Sequence, residues 1–399
     1  MKPIKIIKED KNVDSVLFII AWTMFVTSLI MQSSVLTLEY KELELALKAV
    51  RYMAYAVCCV SILCKIIRRE QYILLMAIVA IFVNCYLQAH NATMPLYSLI
   101  LLATIGISSE LVLKTTVYTQ GIVLATIIIL SQLGIIQDYL FGDNTRLRHG
   151  LGFTWTTTGA ILFFYLLMSI IAMHKSRMNI IFIIAMLAIN YWLYKMTDSK
   201  MSFYLSTLML LFYLAQSINP RRWKILSIFK PLYIALPFIM EIIAVIMFSS
   251  YKPTPLWNKL DKLLSGRLVL GHDAIEEYGF TLFGQYIEWI GYSIERPNKQ
   301  TAVGYNYVES SYLQLTLNYG IIFMLIVLTI YSVAIYKAIK ADHYNLVIIY
   351  VIIMVFSMTE PRLMDFAYNP FSLLAFSKMS KNENDSQHLF KRKLRFYNE

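Results

Sequence analysis

The sequence predicts an all-α integral membrane protein of about 12 transmembrane helices, with one large extracytoplasmic loop between helices 9 and 10. Three observations lead to this fold class. Hydrophobic residues make up 58% of the 399-residue chain, and charged residues make up only 15%. The apolar runs approach or exceed the roughly 20 residues that a helix needs to cross a bilayer core. Basic residues cluster between alternate runs, as they do in the cytoplasmic loops of membrane proteins.

Each apolar run predicts one helix. The runs lie at 16–36, 45–64, 70–88, 95–113, 117–137, 153–173, 178–195, 201–217, 225–248, 311–336, 343–358 and 368–379. The last run is short. Together they predict a single polytopic membrane domain over 1–379, followed by a polar tail at 380–399 that we expect to be cytoplasmic.

The basic residues also predict an orientation. The chain begins with "MKPIKIIKEDK", and the apolar run after it is too long for a removable signal peptide. It therefore predicts a first helix with a cytoplasmic N-terminus. Threading the helices from there puts the basic loops and the C-terminus on the same side. The residues concerned are Lys65, Arg68, Arg69, Lys114, Lys175, Arg177, Arg221, Arg222, Lys224, Lys337, Lys340, Lys391, Arg392, Lys393 and Arg395.

This distribution also bears on the partners of the protein. The formal net charge of +11 would suggest nucleic acid for a soluble protein, but the positive-inside rule accounts for most of the excess here, and no nucleic-acid partner is expected. Four cysteines lie in two apolar runs, without the spacing of a zinc site. We expect them to be packing residues.

The opposite face carries short loops and one large one, at 249–310. Within it, "SGRLVLGHDAIEEYGFTLFGQ" holds an unusual density of charge for so apolar a chain. Just before that stretch, Leu256, Leu260, Leu263 and Leu264 alternate with polar residues at helical spacing, which predicts an amphipathic helix on the membrane surface or on the helix bundle.

Two polar stretches at the outer ends of helices offer phosphate-binding groups. In "RLRHGLGFTWTTTGA", Arg146 and Arg148 precede a glycine-rich turn that opens a helix, and both features favour phosphate. Interfacial arginines that extend to the membrane surface are the alternative. In "TDSKMSF", Lys200 stands on the side where basic residues are scarce, although the stretch is also typical of a polar turn with Asp198 as a helix cap.

Two further stretches add an arginine and an acid. Arg267 lies in the large loop, where a solvated helix face with i,i+4 ion pairs is the alternative. In "VESSYLQLTLNYGII", Glu309 precedes a helix at the outer boundary. A carboxylate there can act as a general base if an apolar wall raises its pKa, and a helix-capping acid is the alternative. Together the four stretches predict a pyrophosphate-handling site on one face of the membrane.

A metal site is the remaining option on that face. Glu39, Glu42 and Glu44 fall in the first outer loop, within "LEYKELEL". Hard cations require several converging oxygens, so we favour an acid cluster at a helix N-terminus and expect no metal.

The four stretches together resemble the O-antigen polymerase/ligase superfamily, and most closely the Wzy-type polymerases of capsular polysaccharides and exopolysaccharides. The resemblance runs from about residue 140 to "TEPRLMDFAYNP". It implies a twelve-helix bundle of the GT-C kind with one large outer loop. It also implies glycan transfer from undecaprenyl diphosphate onto a second lipid-linked glycan in the bacterial plasma membrane, without a metal or cofactor. The expected protein partners are a flippase and a chain-length regulator.

The resemblance implies roles for single residues. Arg148 matches the arginine before the Gly-Phe turn, Lys200 falls where an arginine is usual, and Arg267 matches the arginine of the large loop. Glu309 falls where ligases have a catalytic histidine and polymerases often have an acid. The chain departs from the family at Trp155-Thr156-Thr157, where "His-Pro-Asn" is usual.

The resemblance predicts that Arg148, Lys200, Arg267 and the neighbouring Arg146 bind the leaving diphosphate while Glu309 accepts the hydroxyl proton. If Glu309 is not the base, Asp273, Glu276 and Glu277 are the next candidates. A ligase of the same fold is one alternative function. A lipid-linked oligosaccharide flippase is another, although a transporter would favour ionisable groups at the membrane midplane and paired broken helices.

Overall fold

A computed structural model describes residues 10–64, 69–142, 147–174, 179–218, 229–291 and 304–380. Arg146, the tail after 380 and most of the basic loop residues that predict the orientation lie outside these ranges. The described chain is mostly helical. The helices are α1 Asp10–Gln32, α2 Leu36–Glu39, α3 Lys41–Cys64, α4 Arg69–Ala89, α5 Thr93–Thr104, α6 Ser109–Gln132, α7 Thr158–Met173, α8 Ile180–Thr197, α9 Lys200–Ile218, α10 Lys230–Ser249, α11 Pro255–Leu263, α12 Arg267–Tyr278, α13 Ser311–Lys340 and α14 Tyr344–Phe356.

Apolar helices make this a multi-pass membrane protein. Six of the described helices are long and apolar enough to cross a membrane, namely α1, α3, α6, α8, α10 and α13, and five more are apolar but shorter. The helices α8 and α10 keep most of their apolar surface exposed, including Ile180, Ile181 and Ile184 on α8. Exposed apolar surface of this extent is stable only against lipid. The all-α membrane class is therefore confirmed, whereas the count of 12 spans is not.

The predicted twelfth helix at 368–379 is wrong. Only Phe371–Ala375 is helical there, as a short 3₁₀ turn. The segment is apolar because it is buried inside the bundle, not because it faces lipid. Side chains of the surrounding helices bind its backbone: Gln120 donates to the carbonyls of Ala367 and Tyr368, at 2.6 and 2.9 Å. Irregular backbone is tolerated at such depth when protein satisfies its polar groups.

The C-terminal part of this buried segment reaches the end of the bundle at which α13 finishes. The Nζ of Lys337, in the last turn of α13, donates to the carbonyls of Ala375 and Ser377 at 2.5 and 3.1 Å. The amide of Lys378 donates to the carbonyl of Ile107, in the turn before α6, at 2.6 Å. The segment thus connects the end where Glu360 lies to the end where α13 finishes.

The predicted helix at 95–113 is also divided differently. The structure ends α5 at Thr104 and starts α6 at Ser109. Gly106 adopts a left-handed φ of 85°, and the Ser108 side chain accepts a hydrogen bond from the amide of Leu111 at 3.2 Å. A positive-φ glycine followed by a serine N-cap ends one helix and begins the next, a signal that the apolar run obscures.

A break inside α13 shapes the outer half of the bundle. Gly320 has φ 86° and ψ 165°, so α13 consists of two helices joined by a kink. The loop at 281–285 inserts there: Ile321 and Ile322 donate to the carbonyls of Thr281 and Leu282, and Gln285 donates to the carbonyl of Asn318. The short helix before the kink begins at Ser311, two residues after Glu309.

The predicted amphipathic helix in the large loop is present as α11. Leu256, Leu260 and Leu263 are exposed along it, and α11 buries none of its residues. Lys259 and Lys262 are exposed as well. A turn at Ser265 and Gly266, both with positive φ, connects α11 to α12.

Candidate active site

A cavity of about 1090 Å³ collects most of the residues that the sequence singled out. Its wall comes from segments far apart in the chain: the end of α1, residues 141–142 and 148–161, the α8–α9 turn, the α11–α12 turn with the start of α12, the stretch before α13, and the loop after α14. Arg148, Lys200, Arg267 and Glu309 all line it. The structure thus brings together four of the five predicted site residues, and the fifth, Arg146, lies outside the described residues.

Arg267 and Glu309 form an ion pair in this cavity, between Nη2 of the guanidinium and Oε2 of the carboxylate. Their side chains are 23% and 26% exposed, so the pair is held away from bulk solvent. The Arg267 Nη1 also donates to the carbonyl of Leu264 at 3.3 Å. Arg267 is therefore not part of a solvated helix face, and Glu309 uses its carboxylate on Arg267 rather than on the first amides of α13.

Arg148 is positioned by a small β-hairpin. β1 (Leu140–Phe141) pairs antiparallel with β2 (Arg148–His149). Asp138 fixes the hairpin, since its Oδ1 accepts from the amide of Leu151 at 2.7 Å and its Oδ2 contacts Nδ1 of His149 at 2.6 Å. Arg148 and His149 neighbour each other on the strand, so their side chains leave opposite faces.

The α8–α9 turn brings a second cation near Arg148. The Nε of Arg148 donates to the carbonyl of Thr197, the last residue of α8, at 2.8 Å. Asp198 follows with a φ of 50° and ends α8, so it is not the N-cap of the next helix that the sequence suggested. Lys200 begins α9 with an exposed side chain on the cavity wall. The hairpin and the turn together place two cations on one wall.

The loop after α14 supplies residues that sequence reasoning missed. Glu360, Arg362, Asp365 and Tyr368 line the cavity. The Nη1 of Arg362 contacts Oδ2 of Asp365 at 2.7 Å, and its guanidinium carbon lies 4.4 Å from the centroid of the Tyr368 ring. The stretch "TEPRLMDFAYNP" carries a signal for them, because its charges interrupt an apolar region just before the predicted helix at 368–379.

Glu360 is unusual among these groups. Burial is the main cause that raises the pKa of its carboxyl group to about 7, and the negative charge of Glu309 raises it further. The positive charges of Arg267, Arg362 and Arg148 oppose this rise. Its protonation therefore changes close to neutral pH, which is the range that a general base requires.

Aromatic side chains form much of the remaining wall. Tyr97, Phe141, Trp155, Tyr305 and Tyr307 line the cavity. The Trp155 ring meets Phe141 edge-on at 5.5 Å, in the place where the resembled family has "His-Pro-Asn". Flat apolar rings beside polar groups suit a ligand with both hydroxyls and C–H faces.

The acids named as second choices do not reach this cavity. Asp273, Glu276 and Glu277 are exposed on α12, and none of them lines the described wall. These three acids therefore lie outside the cavity that holds the other predicted site residues.

The acid cluster of the first outer loop has the helix-terminal position that the sequence favours. Glu42 and Glu44 lie in the first turn of α3, and Glu44 pairs with Lys48 at 2.7 Å. Glu39 accepts from the amide of Gln137 at 3.2 Å. Within the described ranges, no three histidine, cysteine or acidic side chains converge as metal ligands.

The described wall carries both positively and negatively charged side chains, and the two kinds of group suit different roles. Four cations line it, Arg148, Lys200, Arg267 and Arg362, together with four acids, Asp198, Glu309, Glu360 and Asp365. Such a wall can hold a multiply charged anion through its guanidinium groups and accept a proton on a carboxylate. No family model, curated protein or solved structure matches this chain.

Proposed function

We propose that the protein is a polysaccharide polymerase that transfers glycan from an undecaprenyl-diphosphate-linked donor to a second lipid-linked repeat unit. One observation carries the proposal: Arg148, Lys200 and Arg267, predicted from separate stretches, line the same cavity, and Arg362 adds a fourth cation there. The four motifs that resemble the O-antigen polymerase/ligase superfamily contribute those three residues and Glu309. Fixed cations on a partly enclosed wall are what a leaving diphosphate requires.

In the proposed reaction, a hydroxyl oxygen of the acceptor glycan attacks the anomeric carbon of the donor glycan. The bond from that carbon to the phosphate oxygen breaks, and lipid diphosphate leaves with the bonding electrons. Guanidinium groups bind phosphate oxygens in pairs, whereas Lys200 contributes a point charge. The hydroxyl proton passes to a carboxylate of the wall, and Glu309 and Glu360 are the two acids available near Arg267.

The lipid parts of both substrates suit the surroundings of the cavity. The α11–α12 turn contributes Ser265, Arg267 and Leu270 to the wall, and α11 exposes its leucines next to that turn. An amphipathic helix of this kind lies at a membrane interface. We propose that α11 lies on the outer leaflet of the bacterial plasma membrane, where lipid-linked glycans enter sideways, and that a flippase and a chain-length regulator act beside the enzyme.

Deletion of the gene tests this function. We expect long surface polysaccharide to disappear and single repeat units to accumulate on lipid at the outer face, measured by sizing surface glycan and lipid-linked intermediates. Restoring the wild-type gene should restore the length distribution. Intermediates confined to the cytoplasmic face would indicate a flippase instead. Full-length polymer that stays on lipid would indicate a ligase.

The proposed orientation has its own test. We expect a cysteine at Thr254, which is exposed before α11, to react with a membrane-impermeant maleimide on intact cells. A cysteine at Ser380, exposed at the other end of the bundle, should react only after the membrane is opened. The basic-residue distribution motivates this expectation. The parent chain provides the background labelling, and the reverse pattern would contradict an outward-facing cavity.

A further inference from the structure

We propose that Glu360 is the general base of the transfer and that Glu309 is a positioning residue that holds Arg267 until diphosphate binds. This inference rests on the proposed function and deepens it, because it assigns the proton-accepting group. It differs from the sequence-based expectation, which gave the proton to Glu309. The observations that separate the two acids are their partners, their anchoring and the charges around them.

The partners of the cavity acids differ. Glu309 is bound to Arg267, and its other carboxylate oxygen lies 3.5 Å from the hydroxyl of Tyr305. Asp365 is bound to Arg362. The carboxylate of Glu360, in contrast, forms no hydrogen bond or ion pair with any residue that the structure describes. A carboxylate that is bound to an arginine has fewer lone pairs open to an incoming proton than a carboxylate without such a partner.

The backbone around Glu360 is held firmly, as a general base requires. The Ser311 hydroxyl donates to the Glu360 carbonyl at 2.5 Å and accepts from the amide of Leu363 at 3.1 Å. The amide of Ser311 in turn donates to the carbonyl of Ser357 at 2.9 Å. The start of α13 and the end of α14 therefore fix this loop from both sides. Catalytic groups on anchored backbone keep the geometry that proton transfer needs.

The charges facing Glu360 come from several elements. Arg267 of α12, Arg148 of β2 and Arg362 of its own loop act on it as cations, and Glu309 acts on it as an anion. The hydroxyls of Tyr307 and of Tyr165 on α7 are within electrostatic reach as well. A base beside the cations that bind the leaving group lies near the reacting carbon, because the bond that forms and the bond that breaks share that carbon.

The same arrangement gives Glu309 a different task. With the cavity empty, its negative charge balances Arg267, which avoids an uncompensated guanidinium in a poorly solvated wall. When diphosphate enters, the guanidinium can exchange the carboxylate for phosphate oxygens, since each group offers two oxygens to the two parallel N–H donors of the guanidinium. Glu309 then determines how readily Arg267 becomes free to bind phosphate. Replacing Glu309 is therefore expected to change donor binding.

The pH profile of the wild-type enzyme follows from this assignment. A base whose pKa is raised to about 7 is deprotonated above that pH and protonated below it. The rate of polymerisation at subsaturating donor, which reports the free enzyme, is therefore expected to fall as pH is lowered through about 7. A rate that is flat between about pH 5.5 and 8.5 would overturn the proposal without any variant having to fold.

The decisive comparison is between Glu360→Gln and Glu309→Gln in proteoliposomes with lipid-linked repeat units. For Glu360→Gln we expect kcat to fall by about 10²–10⁴-fold, with loss of the acidic fall in rate. For Glu309→Gln we expect kcat to stay within about tenfold of wild type, with the pH profile kept and the donor KM changed. Glu276→Gln, exposed on α12 and away from the cavity, is the matched control with unchanged kinetics.

Two outcomes would overturn the proposal. One is a Glu309→Gln enzyme whose rate no longer falls at acidic pH. The other is a Glu360→Gln enzyme whose kcat stays within tenfold of wild type. Size-exclusion profiles show whether each variant is folded. Failure of the proposed function looks different, because the wild-type protein would then form no polymer at all. If the wild type forms polymer and the Glu360→Gln enzyme is also active, only the assignment of Glu360 as the base is excluded.

Discussion

Replacement of Arg267 with alanine is expected to abolish polymer formation while the protein still inserts into the membrane. Loss of one preorganised donor to a developing anion typically costs about 10²–10³ in rate. Arg267 also balances Glu309, so the alanine variant leaves a carboxylate without its cation beside the leaving phosphate. Both effects act in the same direction, because repulsion by Glu309 weakens diphosphate binding further. The measurement is the initial rate of chain growth at matched protein level.

Two companion variants separate charge from structure. Arg267→Lys keeps the charge but not the planar fork, so we expect partial activity. Arg267→Ala combined with Glu309→Gln removes the uncompensated carboxylate, so it should recover the part of the rate that is lost to repulsion, but not the part that is lost with the guanidinium. Lys259→Ala, exposed on α11, is the matched control and should behave as wild type. An Arg267→Ala enzyme that makes full-length polymer would exclude this residue from the mechanism.

The sequence identifies most residues of this site, but it does not predict which of them contact each other. Arg148, Lys200, Arg267 and Glu309 stand out because charged groups are scarce at the ends of apolar helices. Their convergence depends on pairing between segments, such as Arg148 with the carbonyl of Thr197, and no local pattern encodes that. The ion pair between Arg267 and Glu309 joins two stretches that the sequence assigns to the same site, but the sequence does not indicate that these two side chains contact each other.

Hydrophobicity alone misreads the end of the chain. The run at 368–379 has an apolar centre, but most of its side chains are buried by α13, α14 and α6. Buried tyrosines show how this is possible: the hydroxyls of Tyr331 and Tyr350 donate to the carbonyls of Leu363 and Phe371, at 2.7 and 3.0 Å. A hydropathy pattern records that a segment avoids water, but not whether lipid or protein covers it.

The same limit explains why Glu360 and Arg362 were missed. Both follow a helix of 13 residues, which at about 1.5 Å per residue is about 20 Å long and too short for a bilayer core. The loop after α14 therefore reaches into the bundle, where its charges line the cavity. The sequence pattern instead predicts that this loop is a short outer turn, because it predicts a helix at 343–358 that crosses the whole membrane.

A second large effect is expected from Gly320→Ala, which should destabilise the fold and inactivate the enzyme. Gly320 adopts φ 86°, a left-handed conformation that a side chain disfavours. A Cβ there would lie 2.4 Å from the amide nitrogen of Gly284 and 2.5 Å from the carbonyl oxygen of Leu282. Both atoms belong to backbone that is bonded to α13, so the inserted loop must move. Strain and overpacking each cost about 1–3 kcal/mol.

Movement of that loop would reach the cavity through the short helix before the kink. This helix begins at Ser311, whose hydroxyl holds the Glu360 backbone, and Glu309 lies two residues before it. Gly320→Ala should therefore lower the unfolding temperature in detergent and remove activity even in the folded fraction. Gly304→Ala is the matched control, since its φ of 82° gives similar strain but no atom lies within 4 Å of the added Cβ. If both variants unfold at the same temperature, close packing of the kink against Gly284 contributes nothing to stability. The anchoring of the catalytic loop must then have another origin.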